Sequence, residues 1–349
     1  MENSWIKKKN KKMKTTTTKI DKLIYLLVVC LFLLCCKLKS VKEEVATTVI
    51  KTKNNMPSKA FDKDSAYAFV ESQVEFGPRV PNTEAHRACA RYLTNKLEQF
   101  CDTIYLQEAF LTAYNSDHLH VCNIIGVFNP EQTRRVLLFA HWDSRPYSDR
   151  DPDVKNYYKP IDGADDGASG VGVLLEIARQ ISINEIEIGV DIIFFDAEDY
   201  GVPNFINNNT EDTYCLGSQF WAKNPHVLNY KAEYGILLDM VGSKNATFFK
   251  EAYSMHYAES IVERVWYTAR DKGFGKFFIN ENIGCVIDDH IYIAKERGIP
   301  CIDIINCDVE TSHGFGNYWH TQQDRMDNIS HETLDAVGQT ILEIIYSDY

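Results

Sequence analysis

Histidines and carboxylates stand directly after several short apolar runs of this chain, and these residue types hold metal ions and transfer protons. The segments read LLFAHWDS (ending at Ser144), DGADDGASG (Gly170), IIFFDAEDYG (Gly201), ILLDMVG (Gly242) and NYWHT (Thr321). In an open parallel sheet, ligands bind outside the carboxyl ends of the strands, where polar residues from distant parts of the sequence meet. The pattern therefore predicts one metal-binding cleft.

Asp166, Asp199 and His320 form the predicted metal-ligand set. A catalytic zinc ion takes three protein ligands, typically His nitrogen and carboxylate oxygen, and keeps one position open. Asp166 precedes Gly-Ala-Ser-Gly at the start of a predicted helix, so it could also cap that helix. One acidic residue at a strand end is ordinarily a cap or a turn, but several such residues together favour a metal site.

Glu198 is the predicted general base of this cleft. It precedes Asp199, and adjacent residues at a strand end point in different directions, so one carboxylate can bind metal while the other transfers protons. Asp239 follows a buried run and needs a metal or a hydrogen-bonded partner there. The H-x-D spacing places His141 and Asp143 on one side of an extended segment. His141 is either a ligand of a second metal or a hydrogen-bonded structural histidine.

Four apolar runs supply the strands that would carry these residues. They cover 136–140, 190–195, 235–238 and 301–305, and they lack the alternation of a half-solvated strand. Helical patterns lie at 65–76, 83–100, 168–183, 256–272, 291–297 and 331–346. The alternation predicts an α/β fold, a three-layer α/β/α sandwich with a mostly parallel central sheet. The long connections 142–162 and 200–216 are expected to form the walls of the cleft.

Residues 1–36 are predicted to be a signal peptide. Residues 7–22 are basic, and the apolar run 23–36 is shorter than the roughly 20 residues that span a bilayer as a helix. The run ends in Leu-Leu-Cys-Cys, similar to bacterial lipoproteins, which favours lipidation of Cys36 or Cys35 over simple cleavage or an uncleaved anchor. Residues 37–58 are predicted to be a flexible tether, and 59–349 a single catalytic domain. The expected location is a bacterial cell envelope, periplasmic or membrane-anchored.

The chain has a formal net charge of −12, and removal of its basic first segment makes the remainder more acidic. A negative surface repels phosphate backbones, which argues against nucleic acid as a partner. The acidic loop 149–153 is interpreted as solvated rather than as a calcium site. The cysteines beyond residue 36 have no C-x-x-C spacing, so a disulfide cannot be assigned from the sequence.

The segments HWDS, GADDGASG, FFDAED, LLDMVG, DDH and WHT, in this order, resemble the zinc-dependent aminopeptidase superfamily. Within it, the chain is similar to the glutaminyl-peptide cyclotransferases (glutaminyl cyclases), particularly the bacterial enzymes of the animal type. The resemblance covers residues 65–346. The choice of this branch depends on fewer residues, namely the extra acid in Asp288-Asp289-His290 and Trp319 before the ligand histidine.

The resemblance implies one zinc ion per chain, bound by Asp166, Asp199 and His320. Asp199 departs from the animal enzymes, which have Glu there; Asp is one methylene shorter, so the strand end must approach the metal more closely. The implied reaction converts N-terminal glutamine of peptides or proteins to pyroglutamate and releases ammonia. We expect a monomer that contacts a membrane only through a lipid anchor.

The resemblance also assigns the groups around the reacting atoms. Glu198 is the implied proton shuttle, and Asp239 and Asp288 support it through hydrogen bonds. The expected substrate pocket is lined by Trp319, Trp142 and Tyr214.

Two other functions stay open at this point. The chain contains every ligand type of a two-metal aminopeptidase, which would release N-terminal residues with an activated water. These ligands are His141, Asp166, Asp199, Asp239 and His320. A non-catalytic binding protein of the same fold would be expected to have lost ligands, and none is lost.

Overall fold

The computed structural model describes residues 60–207 and 211–347 of the 349-residue chain. The predicted signal peptide and tether lie outside these residues. No helix within the described ranges is long and apolar enough to cross a membrane.

A six-stranded mixed sheet lies at the centre of the fold. Its strands are β1 (Thr103–Thr112), β2 (His118–Phe128), β3 (Arg135–His141), β4 (Gly189–Phe195), β5 (Gly235–Asp239) and β8 (Cys301–Ile305), in the spatial order β1-β2-β4-β3-β5-β8. Strands β4, β3, β5 and β8 pair in parallel, and β1 and β2 add an antiparallel hairpin at one edge. Two short strands, β6 (Phe248–Lys250) and β7 (Phe278–Asn282), pair separately.

Helices cover both faces of the sheet. They are α1 (Lys63–Val74), α2 (Glu84–Phe100), α3 (Ala168–Ile183), α4 (Leu216–Lys223), α5 (Ala252–Asp271), α6 (Asp289–Arg297) and α7 (His331–Tyr346). Leu138 of β3 belongs to the apolar cluster that includes α1, α2, α3, α5 and α7, whereas Phe139 belongs to the cluster that includes α4 and α6. Alternate residues of a strand face opposite sides of the sheet, so β3 connects the two layers of the predicted sandwich.

The predicted elements of the parallel core are confirmed. The four predicted strands are present, and the six predicted helices are present with ends that differ by a few residues or not at all. The sequence pattern did not predict the hairpin β1–β2, the pair β6–β7 or the short helix α4. Strand β1 is exposed at alternate positions along much of its length, so it contains no continuous apolar run.

Candidate active site

The candidate functional side chains gather at the carboxyl ends of the parallel strands. His141 and Asp239 are the last residues of β3 and β5, and Glu198 and Asp199 follow closely after β4. Connecting segments supply the others, which are Asp166 before α3, Asp288 before α6 and His320 before α7.

Asp166, Asp199 and His320 form a buried group that could hold a metal ion. Each offers one ligand atom, and the three atoms lie within 4.8 Å of one another. Nε2 of His320 is 3.4 Å from Oδ1 of Asp199 and 3.6 Å from Oδ2 of Asp166. The Oδ2 atoms of both aspartates are buried and accept no hydrogen bond from the described residues. Buried carboxylate oxygens are costly unless a cation compensates them, so this donor set fits zinc.

Asp166 does not cap the helix that follows it. Gly167 is the N-cap of α3, with φ of 95°, and no side chain caps this helix. A Cβ at Gly167 would lie 2.5 Å from the carbonyl oxygen of Asp143, so this turn requires glycine. The Asp166 carboxylate therefore remains available to the two histidines that face it, His141 and His320.

His141 lies between two aspartates. Its Nε2 is 3.1 Å from Oδ1 of Asp166 and 3.2 Å from Oδ1 of Asp239, while its Nδ1 is 3.5 Å from Oδ1 of Asp143. Burial lowers the pKa of His141, but the three carboxylates outweigh burial and raise this pKa well above its usual range. His141, Asp166 and Asp239 also form a second group with ligand atoms within 4.8 Å. Both roles predicted for His141 are thus compatible with its position.

Glu198 is held by its main chain and by one side-chain contact. The backbone N–H groups of Glu198 and Asp199 donate to the two carboxylate oxygens of Asp143 at 3.0 and 3.2 Å. Oε1 of Glu198 accepts a hydrogen bond from the Cys215 thiol at 3.1 Å. Burial raises the pKa of Glu198 well above its usual range, and nearby Asp288 raises it further. A carboxyl group with a raised pKa is suited to exchange protons near neutral pH.

Asp288 is a buried acid beside the half-buried Glu198. Its carboxylate accepts the backbone N–H of Asp289 at 2.6 Å and caps α6. Asp288, Glu198 and Cys215 offer atoms within 4.8 Å of one another. Burial raises the pKa of Asp288 well above its usual range, with a further contribution from Asp239. A neutral Asp288 can donate a hydrogen bond as well as accept one.

Strained backbone surrounds the site. Ala197, Cys215, Met240 and His320 all have positive φ, between 46° and 58°. Residues other than glycine rarely adopt this conformation, and the strain persists only where the surrounding structure enforces it, often at active sites. Each of these residues is a site residue, is adjacent to one or contacts one.

Arg145 and Asp149, which the sequence analysis did not select, support the metal-binding group. Fully buried Arg145 donates to both carboxylate oxygens of Asp149, at 2.7 and 2.9 Å, and to Oδ1 of Asp199 at 3.1 Å. Oδ1 of Asp149 lies 3.3 Å from Nδ1 of His320. The interpretation of loop 149–153 as solvated is therefore wrong at Asp149, and also at Asp151, which is buried and accepts the backbone N–H of Gln322 at 3.0 Å. The sequence feature that could have indicated this pair is Arg145 itself, a basic residue shortly after the HWD segment.

Known proteins share this fold over most of the chain. Residues 123–345 match the model of peptidase family M28. The glutaminyl cyclase of Tannerella forsythia is 62% identical, with a TM-score of 0.82 over 83% of this chain and 100% of that chain. The chain belongs to peptidase family M28 and to its bacterial glutaminyl cyclases. This assignment confirms the resemblance predicted from the motifs.

Two further M28 relatives bear on the metal and on the extent of the similarity. A Zn-dependent exopeptidase of Parabacteroides distasonis is 63% identical, with a TM-score of 0.82 over 83% of this chain and 99% of that chain. The glutaminyl-peptide cyclotransferase of Bos taurus is 24% identical over 301 residues, which is 78% of each chain. The chain is thus a member of a zinc-dependent enzyme family, in agreement with the predicted metal.

Two of the three predicted pocket residues of this M28 protein lie beside the site. The ring of Trp319 stacks on that of His320 with centroids 3.8 Å apart. The guanidinium of Arg145 lies 5.3 Å from the ring centroid of Tyr214, whose hydroxyl donates to the carbonyl oxygen of Val202 at 3.0 Å. Trp319 is therefore next to His320, a candidate metal ligand, and Tyr214 is next to Arg145, which contacts Asp199.

Trp142 is not an open pocket wall, contrary to the sequence prediction. It is fully buried in the core, stacks on His86 with centroids 4.3 Å apart, and its indole N–H donates to the carbonyl oxygen of Cys122 at 3.1 Å. Side chains of an extended segment alternate between two sides. Because His141 and Asp143 face the site, Trp142 faces the core.

Proposed function

We propose that this protein is a glutaminyl-peptide cyclotransferase, an aminoacyl-type acyltransferase that converts the N-terminal glutamine of peptides or proteins to pyroglutamate and releases ammonia. The observation that carries the proposal is the position of Glu198, a half-buried acid with a raised pKa, adjacent in sequence to Asp199 of the candidate metal-binding group and within a few ångströms of Asp288. The sequence identity of 62% with the glutaminyl cyclase of Tannerella forsythia supports the same reaction.

The reaction needs an activated carbonyl and a group that moves one proton. Asp166, Asp199 and His320 would hold the zinc ion, which when bound would supply Lewis-acid polarisation of the glutamine side-chain carbonyl. Glu198 accepts a proton from the attacking α-amine as the bond from that nitrogen to the side-chain carbon forms. The same carboxyl then donates the proton to the departing amide nitrogen as its bond to carbon breaks. Ammonia leaves, a five-membered lactam remains, and the proton count balances without water.

The neighbouring acids hold the substrate and Glu198 in position. Asp288 is close enough to Glu198 to hydrogen-bond the departing amide nitrogen, and Asp239 is engaged with His141. The attack is intramolecular, and well-oriented intramolecular reactions reach effective molarities of about 10⁵ to 10⁸ M. Binding of the terminal residue in one orientation, beside Trp319, therefore supplies much of the acceleration.

An aminopeptidase is the second candidate, because one observation favours it. His141, Asp166 and Asp239 offer a second group of closely spaced ligand atoms. A pair of metals that shares Asp166 would suit hydrolysis by an activated water. The contacts of Nε2 of His141 with both aspartates fit a hydrogen-bonded structural histidine equally well, so the number of metals bound distinguishes the two functions.

The deciding experiment incubates the purified protein with a Gln-initiated peptide and with a matched Leu-initiated peptide, and follows product mass, ammonia and metal content on one sample. We expect the Gln peptide alone to lose the mass of one ammonia, with one zinc per chain. Free leucine together with two metals per chain would replace the proposal with the aminopeptidase.

A further inference from the structure

Cys215 contacts the proposed proton shuttle from two sides. Its thiol donates to Oε1 of Glu198 at 3.1 Å, and its backbone N–H donates to the carbonyl oxygen of Glu198 at 2.8 Å. The side chain is fully buried. The reaction described above does not use this residue, although its sulfur touches the group that must move the proton.

The backbone around Cys215 fastens the segment that carries Glu198. Leu216 and Gly217, the first two residues of α4, donate their backbone N–H groups to the carbonyl oxygens of Ala197 and Asp196, each at 3.0 Å. A Cβ at Gly217 would lie 2.2 Å from that Asp196 oxygen, so the close approach depends on glycine. The start of α4 is thereby joined to the end of β4 at three consecutive residues.

The backbone conformation of Cys215 is one that favours glycine, yet this residue has a side chain. Its φ of 58° is left-handed, a region in which glycine is the least strained residue. A side chain is nevertheless present, and it points at Glu198. Burial raises the pKa of the Cys215 thiol well above its usual range, with Glu198 raising it further. The sulfur therefore keeps its proton and acts as a donor.

We propose that Cys215 is a positioning residue for Glu198. Its thiol fixes Oε1, so that Oε2 is the oxygen that meets the substrate amine and returns the proton to the departing nitrogen. Because a thiol is a weak donor, it orients the carboxylate without competing strongly for the charge that must accept a proton. This inference rests on the proposed cyclotransferase function.

Three substitutions at Cys215 distinguish the effect of its thiol from the effect of its backbone conformation. Cys215→Ala removes the donor and keeps Cβ, Cys215→Ser restores a donor, and Cys215→Gly removes the donor while relieving the left-handed strain. We expect Cys215→Ala and Cys215→Gly to lower kcat by at most about tenfold, the size of one ordinary hydrogen bond. KM and zinc content should stay unchanged, and Cys215→Ser should recover most of kcat.

A spectroscopic measurement tests the contact without relying on turnover. The infrared S–H stretching band that disappears in Cys215→Ala should shift in Glu198→Gln, because the acceptor has changed. An unshifted band would overturn the proposal. So would normal kcat in the folded alanine or glycine variant, equal losses in the serine and alanine variants, or a loss confined to KM or zinc content. Wild-type protein that releases no ammonia would instead contradict the proposed function.

Discussion

Glu198 and Asp199 are adjacent in the chain, and their proposed roles require them to behave differently. Asp143 makes this possible, since its carboxylate accepts both backbone N–H groups and holds the turn that separates the two side chains. Asp199 is paired with Arg145 and faces His320, whereas Glu198 has a thiol contact and no ion pair among the described residues. Ligand and proton shuttle are therefore distinguished by their partners.

Glu198→Gln should abolish cyclisation while leaving zinc bound. The amide keeps nearly the same volume but cannot take a proton from the α-amine, and general acid–base catalysis of this kind is worth about 10² to 10⁴-fold in rate. The measurement combines kcat on a Gln-initiated peptide with metal analysis of the same sample. Glu185→Gln, an exposed residue away from the site, is the matched control. Substantial turnover by Glu198→Gln would remove it from the mechanism.

Asp149→Asn should weaken zinc binding. The side chain contacts His320 on the nitrogen away from Asp166 and Asp199, and it also holds Arg145. Loss of such an outer partner typically costs about 10- to 100-fold in metal affinity. Competition with a chromogenic chelator measures the effect, with exposed Asp153→Asn from the same loop as the control. Equal zinc affinity in both variants would show that Asp149 only stabilises the loop.

The sequence predicted site residues that lie next to a recognisable strand or motif. It did not predict residues whose role depends on contacts between distant parts of the fold. Asp199 was selected by its position after the apolar run 190–195, and Asp166 and His320 by the acidic and aromatic segments around them; the structure brings the three together. Arg145 and Cys215 do not directly follow a strand, and their contacts with Asp199 and Glu198 join segments that are separate in the sequence. Trp142 was misplaced, although the H-x-D alternation around it already indicated the opposite face.

At the scale of elements, α3 fixes where Asp166 lies relative to the strands. Gly170, on the first turn of α3, lets the helix approach the sheet so closely that a Cβ there would lie 2.1 Å from the carbonyl oxygen of Leu238. Leu238 is the neighbour of Asp239 at the end of β5. One contact between a helix and a strand thus sets the separation of two acids in the site.

Gly170→Ala should therefore affect both stability and zinc binding. The added methyl group must push α3 away from β5, and overpacking of this kind costs about 1–3 kcal/mol. Denaturant unfolding measures the first effect and chelator competition the second. Gly275→Ala is a suitable control, since a Cβ there meets nothing closer than 3.5 Å. A variant with wild-type stability would mean that the helix and strand have more freedom than the structure indicates.

Continuous apolar runs made the parallel strands predictable, because a strand buried on both faces has no polar alternation. Strand β1 escaped prediction for the opposite reason, since it is exposed at alternate positions at the sheet edge; β2 is largely buried, but Asn123 and Gly126 interrupt its apolar residues. Helix α4 is only eight residues long and follows a loop, so its period is too short to recognise. It is nevertheless the helix whose start holds Glu198.

At the scale of the whole molecule, the site is assembled from residues between 141 and 320 that only the complete sheet brings together. Zinc bound to the folded chain and not to the unfolded one adds to stability. The acidic net charge of the chain suits the proposed substrates, because an N-terminal amine is cationic at neutral pH until it loses a proton to solvent and becomes the nucleophile. The fold that assembles the site, the metal that would bind there and the charge of the proposed substrate are therefore all consistent with one active site.

Attachment to a membrane stays a prediction for residues outside the described ranges, and it concerns where the substrates are met. If Cys36 receives lipid, full-length protein produced in a bacterial host should incorporate labelled fatty acid and sediment with membranes, because acyl chains bury about 0.8 kcal/mol per CH₂. Cys36→Ser should lose the label, whereas Cys30→Ser, inside the apolar run, should retain it. If only Cys35→Ser lost the label, the lipid would be attached at Cys35 instead of Cys36. Unlabelled protein in the soluble envelope fraction would indicate simple cleavage, and the enzyme would then reach its peptides by diffusion instead of acting at a membrane surface.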